Sequence, residues 1–257
     1  MTPTAASVII ALLSLACGGL IWRNLQLRRQ NREFRRRIRK AASGEAAGKQ
    51  GAKGAHERLM EKLDLAPGTL PRGGDWRIGD DLLLLLIERM RASPPDHVVE
   101  LGSGLSTAVI ARQMELSDRG KLWSVEHDAS FLDETQAMLE THGLAHRVRL
   151  IEAPLMAWDK HTQWYDRAAL DPLPERIDLL LIDGPPHHAG RMPRYPAGPE
   201  LFSRLAPEGV AILDDGRRHK EQKALARWAE ELPAFRQTPT ETAKQAMILE
   251  RIAQSEA

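Results

Sequence analysis

The sequence predicts an α/β domain on a doubly wound, mostly parallel sheet of seven strands. Three observations predict it. From residue 57 onward, short apolar runs alternate with helical segments. A two-glycine loop, Gly102-Ser103-Gly104, follows one apolar run and opens a helix. Acidic residues then recur at the ends of successive apolar runs, which is the edge where such sheets bind ligands.

Each element has its own signal. "DDLLLLLIERMRA", Asp80 to Ala92, starts with acids and ends with bases, as the helix dipole favours, and Ser93-Pro94-Pro95 stops it. "HVVEL" reads as the first buried strand, and a helix from about Thr107 to Met114 follows the glycine loop. "KLWSVEH" is the second strand, Lys121 to His127, and "SFLDETQAMLETHG" is a helix ended by Gly143. Strands three to five are Arg147 to Ala153, Ile177 to Asp183 and Gly209 to Asp215. "KEQKALARWAEEL" is a late helix, and "AFRQTPT" and "QAMILER" form a closing pair of strands. Strands separated by helices imply a parallel sheet covered on both faces.

The N-terminus is of a different kind. Ala5 to Trp22 carries no charge. At about 1.5 Å per residue it would span roughly 27 Å, close to the ~30 Å hydrocarbon core. "MTPT" lacks the basic n-region of a cleaved signal peptide. The expectation is a single transmembrane helix. Arg23, Arg28, Arg29, Arg32, Arg35, Arg36, Arg37, Arg39 and Lys40 all follow it, so the positive-inside rule keeps the remainder in the cytoplasm, at the inner membrane. The basic stretch either only fixes topology or also rests on anionic headgroups. "AASGEAAGKQGAKGAH", Ala41 to His56, reads as a flexible linker. Three parts follow: an anchor over 1–22, a stalk and linker over 23–56, and a catalytic domain over 57–257.

The 257 residues carry a formal charge of +1, so the chain as a whole does not look like a nucleic-acid binder. Cys17 is the only cysteine, which excludes an intrachain disulfide.

The glycine loop narrows the ligand. Glycines let a backbone approach a ligand closely, and the helix start beyond them offers free N–H groups. A nicotinamide dinucleotide favours a third glycine, where this chain has Thr107. Glu100 just before the loop would repel a pyrophosphate but suits a ligand bearing an ammonium group. Glu126, ending the second strand, is placed to accept ribose hydroxyls.

These residues resemble the class I S-adenosylmethionine-dependent methyltransferases, whose first strand and loop read like "VVELGSGLST", with acids ending strands two and four. The runs "LLIDGPP", "RYPAGPELF" and "LAPEGVAILDDGRR" resemble a bacterial subgroup with the layout of the metal-dependent O-methyltransferases. The resemblance covers about Trp76 to Ile252. It implies a Rossmann-like fold and S-adenosylmethionine as cofactor. Glu100, Gly102, Ser103 and Gly104 would surround the methionine part, and Ser106 and Thr107 would add contacts there or merely cap the helix. Glu126, with His127 beside it, would hold the ribose. Glu152 and Ala153 would border the adenine, or Glu152 would be an ordinary strand-end acid.

The resemblance also implies an acceptor site at Asp183, Asp214 and Asp215. In metal-dependent relatives such acids hold a divalent cation. Mg²⁺ suits oxygen ligands and would lower the pKa of an acceptor hydroxyl. Asp215 stands where Asn is common in that family. Alternatively, Asp214 and Asp215 cap a turn and pair with Arg217 or Arg218. Asp183, Asp214 and His187 are the catalytic candidates, and His187 or the adjacent His188 could act as general base. The loop from His187 to Pro199 carries Arg191, Arg194 and Tyr195, and reads as a lid for an anionic or sugar-like acceptor or as an ordinary loop. The expected acceptor is a small molecule, a glycan or a lipid-linked intermediate. A nicotinamide-dependent oxidoreductase is the alternative enzyme, but neither Tyr165 nor Tyr195 has a Tyr-x-x-x-Lys spacing. A non-catalytic anchored scaffold is the third reading.

Overall fold

The computed structural model describes residues 50–73 and 77–252. The expected anchor and most of the stalk and linker, residues 1–49, lie outside the described residues. Among the described residues, no helix is long and apolar enough to cross a membrane.

The first helix, α1 (Gln50–Lys62), corrects the linker boundary, because it reaches back into the stretch read as flexible. The glycines suggested a coil, but Ala55, Leu59 and Leu63 fall one helical turn apart and are buried. His56 is buried beside Asp80, with Nδ1 3.3 Å from Oδ1. Next come α2 (Asp80–Ala92), β1 (His97–Leu101), α3 (Leu105–Ser117), β2 (Lys121–Glu126), α4 (Ala129–Thr141) and β3 (Val148–Glu152). A hairpin follows, β4 (Leu155–Asp159) and β5 (Thr162–Tyr165). The remaining elements are β6 (Ile177–Ile182), the short α5 (Ala197–Leu201), β7 (Leu205–Leu213), α6 (His219–Glu231), β8 (Phe235–Pro239) and β9 (Met247–Arg251).

The main sheet has seven strands in the order β3-β2-β1-β6-β7-β9-β8. Five are mutually parallel, β9 runs antiparallel to β7, and β8 runs antiparallel to β9. This matches the expected doubly wound, Rossmann-like sheet. Its two faces separate by strict alternation. Val98, Leu122, Leu179, Leu181, Val210 and Ile212 pack with α1, α2 and α3 residues such as Leu59, Leu86 and Ile110. Val99, Leu101, Val125, Leu180, Ile182 and Leu213 face the other way, onto Trp164, Tyr165, Phe202 and Trp228. Period-two runs buried on both sides read as continuous apolar segments, which is why "VVEL" and "LLLI" were recognisable.

The β4–β5 hairpin was not expected. Its sequence, "LMAWDKHTQWY", has no clean alternation, and its turn depends on Asp159 Oδ1 accepting the His161 N–H at 2.6 Å. Trp164 and Tyr165 then fill one face of the sheet. Strand β7 also starts earlier than expected, because Leu205 pairs with Ile177 before a register shift.

The α1 correction is measurable. Ala55 lies in the stretch read as linker, so Ala55→Asp, which places an unpaired charge in the core, is expected to lower the denaturant midpoint. A flexible-linker residue would give no shift in the denaturant midpoint.

Candidate active site

The chain builds β1, β2 and β3 outward from the sheet centre and then returns to lay β6 on the other side of β1. The crevice beyond the carboxyl ends of β1 and β6 is therefore the reversal point where ligands bind in such sheets. Gly102 there has φ +98°, and a Cβ on it would lie 3.2 Å from the Gly184 nitrogen. Glycine alone meets both demands. Gly104 has φ +150°, and the space its Cβ would fill is open.

Under this loop lies Glu100, fully buried. Thr107 Oγ1 accepts the Gly104 N–H at 2.8 Å and donates to Glu100 Oε2 at 2.6 Å. Ser124 Oγ donates to the same oxygen at 2.7 Å. Thr107 thus replaces a third glycine because its hydroxyl ties the loop to the buried acid. Burial pushes the Glu100 carboxyl up to about 7, against the Ser106, Thr107 and Ser124 hydroxyls, which favour its charged form. Glu100 Oε1 has no hydrogen-bond partner. Glu100 and Thr107 are both fully buried, and these contacts let them shape the loop from below.

The cavity beside the loop measures about 120 Å³. Ser103, Gly104, Ser106 and Asp183 line it, joined by Arg77, Phe131 and Glu134. The last three were not foreseen, since they come from segments without a motif. Glu126 stands beside the turn as expected. Its Oε2 accepts the Ser103 N–H at 3.0 Å, and its Oε1 accepts the His127 and Asp128 N–H groups at 2.7 and 3.0 Å. His127 Nδ1 lies 2.6 Å from Oε1. Burial would raise this carboxyl, but the hydrogen bonds from His127, Asp128 and Ser103 hold it below its ordinary value. Glu152 is exposed and pairs in register with Glu126, while buried Ala153 donates its N–H to the Glu126 carbonyl at 2.7 Å.

Asp183, Asp214 and Asp215 do come together, with one carboxylate oxygen of each within 4.8 Å of the others. A guanidinium sits among them. Arg194 Nη2 donates to Asp183 Oδ1 at 3.0 Å and to Asp215 Oδ2 at 3.2 Å, and Nη1 donates to the Asp214 carbonyl at 2.9 Å. Arg218 lies 2.7 Å from Asp215 Oδ2, and Lys244 Nζ lies 3.8 and 3.7 Å from Asp214 and Asp215. The expected turn is also present: Asp215 has φ +57°, and its N–H donates to Asp214 Oδ1 at 2.7 Å. Burial raises Asp183 and Asp214, with the neighbouring acids adding to the effect and Arg194 opposing it.

The lid reading is corrected for Arg194 and Tyr195. Both side chains turn inward and are buried. The Tyr195 hydroxyl donates to Glu231, its ring stacks under Arg227 at 4.0 Å, and its carbonyl accepts from Trp228. His187 and His188 are exposed on a single turn, with Lys220 donating to the carbonyls of His187 and Gly190. Asp183 lines the cavity and His187 does not.

Residues 99–216 match a family model described as a methyltransferase domain. The fold is similar to the S-adenosylhomocysteine-bound Podospora anserina methyltransferase PaMTH1, with a TM-score of 0.55, 15% identity, and coverage of 87% of this chain and 97% of that one. It is also similar to a Bacillus cereus O-methyltransferase in complex with S-adenosylhomocysteine, with a TM-score of 0.53, 18% identity and coverage of 84% and 97%. TomG from Streptomyces achromogenes, an O-methyltransferase of tomaymycin synthesis in complex with S-adenosylmethionine, gives a TM-score of 0.51, 17% identity and coverage of 82% and 94%. No curated protein matches the sequence. The fold is that of these methyltransferases, and the reversal-point loop falls inside the segment that matches the family model. More particularly, residues 99–216 are similar to a methyltransferase domain.

The buried acid makes a signed prediction. The Glu100 carboxyl lies near 7 when folded and at its ordinary 4.5 when unfolded, so the folded state binds more protons between those values. Stability conferred by protonated Glu100 is present at low pH and lost as pH rises through this window. Wild-type Tm should therefore fall relative to Glu100→Gln between these pH values. Parallel Tm curves would contradict the assignment.

Proposed function

We propose that this chain methylates a hydroxyl oxygen on a small-molecule, glycan or lipid-linked acceptor, using S-adenosylmethionine, with its catalytic domain held at the cytoplasmic face of the inner membrane. One observation carries the catalytic part: the glycine loop and Asp183 line the same cavity. The cofactor supplies a methyl group on a positively charged sulfonium. Its amino-acid end suits the small cavity at Ser103, Gly104 and Ser106, where the missing Gly104 Cβ leaves room. Glu126 sits one strand over, with its carboxylate ionised and facing the loop, placed for ribose hydroxyls. Glu152 and Ala153 lie next along the same edge, on the adenine side.

Asp183 is the base in this reading. Its side chain is 20% exposed and lines the cavity, and its raised pKa makes it a better proton acceptor than an ordinary carboxylate. With the cofactor bound, Asp183 would take the acceptor hydroxyl proton as the oxygen–methyl bond forms and the methyl–sulfur bond breaks, leaving the neutral thioether. Asp214, buried behind it, sustains the raised pKa through its charge. The membrane part is supported by the uncharged Ala5 to Trp22 and the nine basic residues that follow it before residue 41. An acceptor at the membrane surface is the natural use of such a tether.

Calorimetry should detect S-adenosylmethionine and its demethylated product, but no nicotinamide dinucleotide. Gly104→Val should weaken cofactor affinity by about tenfold or more, about 1.4 kcal/mol. Asp183→Asn should bind cofactor normally and lose about 10²–10⁴-fold in turnover. Absence of cofactor binding, or full turnover by Asp183→Asn, sinks the reading. Removal of residues 1–40 should move the protein from the membrane pellet to the supernatant, and continued pelleting would refute the tether.

A further inference from the structure

Asp183, Asp214 and Asp215 form the kind of oxygen cluster that takes a divalent cation, and the structure itself tests whether one fits. Mg²⁺ requires near-octahedral oxygen ligands at about 2.0–2.1 Å. The position between Asp183 and Asp215 already holds the Arg194 guanidinium, which hydrogen-bonds to one oxygen of each. Arg194 is 4% exposed, so it has no solvent into which to withdraw. Its other terminal nitrogen is fixed on the Asp214 carbonyl, and Nε lies 3.7 Å from Glu221 Oε1, itself buried.

The remaining oxygens of Asp214 and Asp215 lie against further positive or donor groups. Asp214 Oδ1 accepts the Asp215 N–H, while Asp214 Oδ2, buried without a hydrogen bond, and Asp215 Oδ1 lie 3.8 and 3.7 Å from Lys244 Nζ. Asp215 Oδ2 is shared by Arg194 and Arg218. Among the described residues, Asp183 Oδ2 is the carboxylate oxygen of the six with neither a hydrogen bond nor an ion pair, and Asp214 Oδ2 has an ion pair only. The four acids, Glu221 included, face three basic side chains. A divalent ion would place two positive charges directly against a buried guanidinium, and the group does not fit while Arg194 is in place.

We propose that Arg194 takes the place of a divalent cation in this site: a tethered guanidinium that binds the acid cluster and holds Asp183 with one oxygen free for the acceptor. Arg194 is then a positioning residue, and methyl transfer proceeds without metal. Guanidinium suits the role because it is permanently charged and its fork bonds two carboxylates at once. The proposal deepens the reading of Asp183 as base, but its principal test involves neither cofactor nor acceptor.

That test is Mn²⁺ alone, titrated into the full-length chain and followed by electron paramagnetic resonance and by Tm. Wild type should bind no Mn²⁺ at millimolar concentration. Arg194→Met removes the charge while keeping much of the stem, so the uncovered acids should gain Mn²⁺ affinity and a metal-dependent rise in Tm. Adding Asp183→Asn should abolish that gain. A purely structural arginine would not create a metal site when removed. Wild type that binds Mn²⁺ stoichiometrically and loses it on Asp215→Asn overturns the proposal, as does a folded Arg194→Met that gains no affinity. If Arg194→Met does not fold, Arg194→Lys decides: turnover reduced with cofactor affinity intact and no added Mn²⁺ affinity supports the proposal, and unchanged turnover overturns it. Failure of the methyltransferase reading would show separately, as absent cofactor binding with the Mn²⁺ results unchanged.

Discussion

The parallel register that aligns Val125, Leu101, Ile182 and Leu213 across four strands determines what stands at the active edge. The residue after each of these is a candidate site residue: Glu126, Gly102, Asp183 and Asp214. The ladder continues one bond further, with the Gly102 N–H on Val125, the Asp183 N–H on Leu101 and the Asp214 N–H on Ile182. A shift of one residue in any strand would turn its core face outward as well as misplace its acid, so hydrophobic packing fixes the site geometry. The glycine contact at Gly102 and Gly184 then lets the two central loops close on each other.

This architecture explains which features were legible in the sequence. Apolar runs bounded by acids reveal both the strand and its functional end, so the sheet, the loop and the positions of Glu126, Asp183 and Asp214 could all be read. The sequence did not reveal the direction of side chains held by tertiary contacts. Glu100 and Thr107 looked like ligand contacts because the motif carries them, yet their hydroxyl–carboxylate bond is internal. Arg194 looked like a lid residue because, with Arg191 and Tyr195 on the same loop, it could meet an anionic or sugar-like acceptor. Only the fold reveals that this loop runs back under the carboxyl edge, where the acids capture it. The hairpin and α1 were obscured for a local reason: mixed polar and aromatic residues in one, and glycines in the other, conceal a face that becomes buried only against the sheet.

Two buried carboxylates at this edge are managed differently. Glu100 faces hydroxyl groups and no cation, so desolvation wins and its pKa rises toward neutrality. Glu126 receives three backbone N–H groups and a histidine, and those bonds outweigh its burial. The difference lies in the number and kind of donors, since both groups are nearly inaccessible. One acid serves as an internal brace that remains close to neutral, and the other presents a stable negative charge beside the loop.

The same reasoning explains why the acceptor edge needs a cation at all. Three carboxylates brought within 4.8 Å by the sheet register would repel one another and resist ionisation. Burial alone raises Asp183 and Asp214, and each neighbour's charge raises them further. Burial would also lower the pKa of Arg194, but the charges of Asp183, Asp215, Glu221 and Asp214 more than offset this and keep it protonated. The arginine and the acids therefore stabilise each other's charge. A diffusible metal could balance the carboxylates as well, but its occupancy would vary with supply, whereas the guanidinium is supplied by folding itself. The sheet that creates the repulsion is followed in the chain, between β6 and β7, by the loop that relieves it.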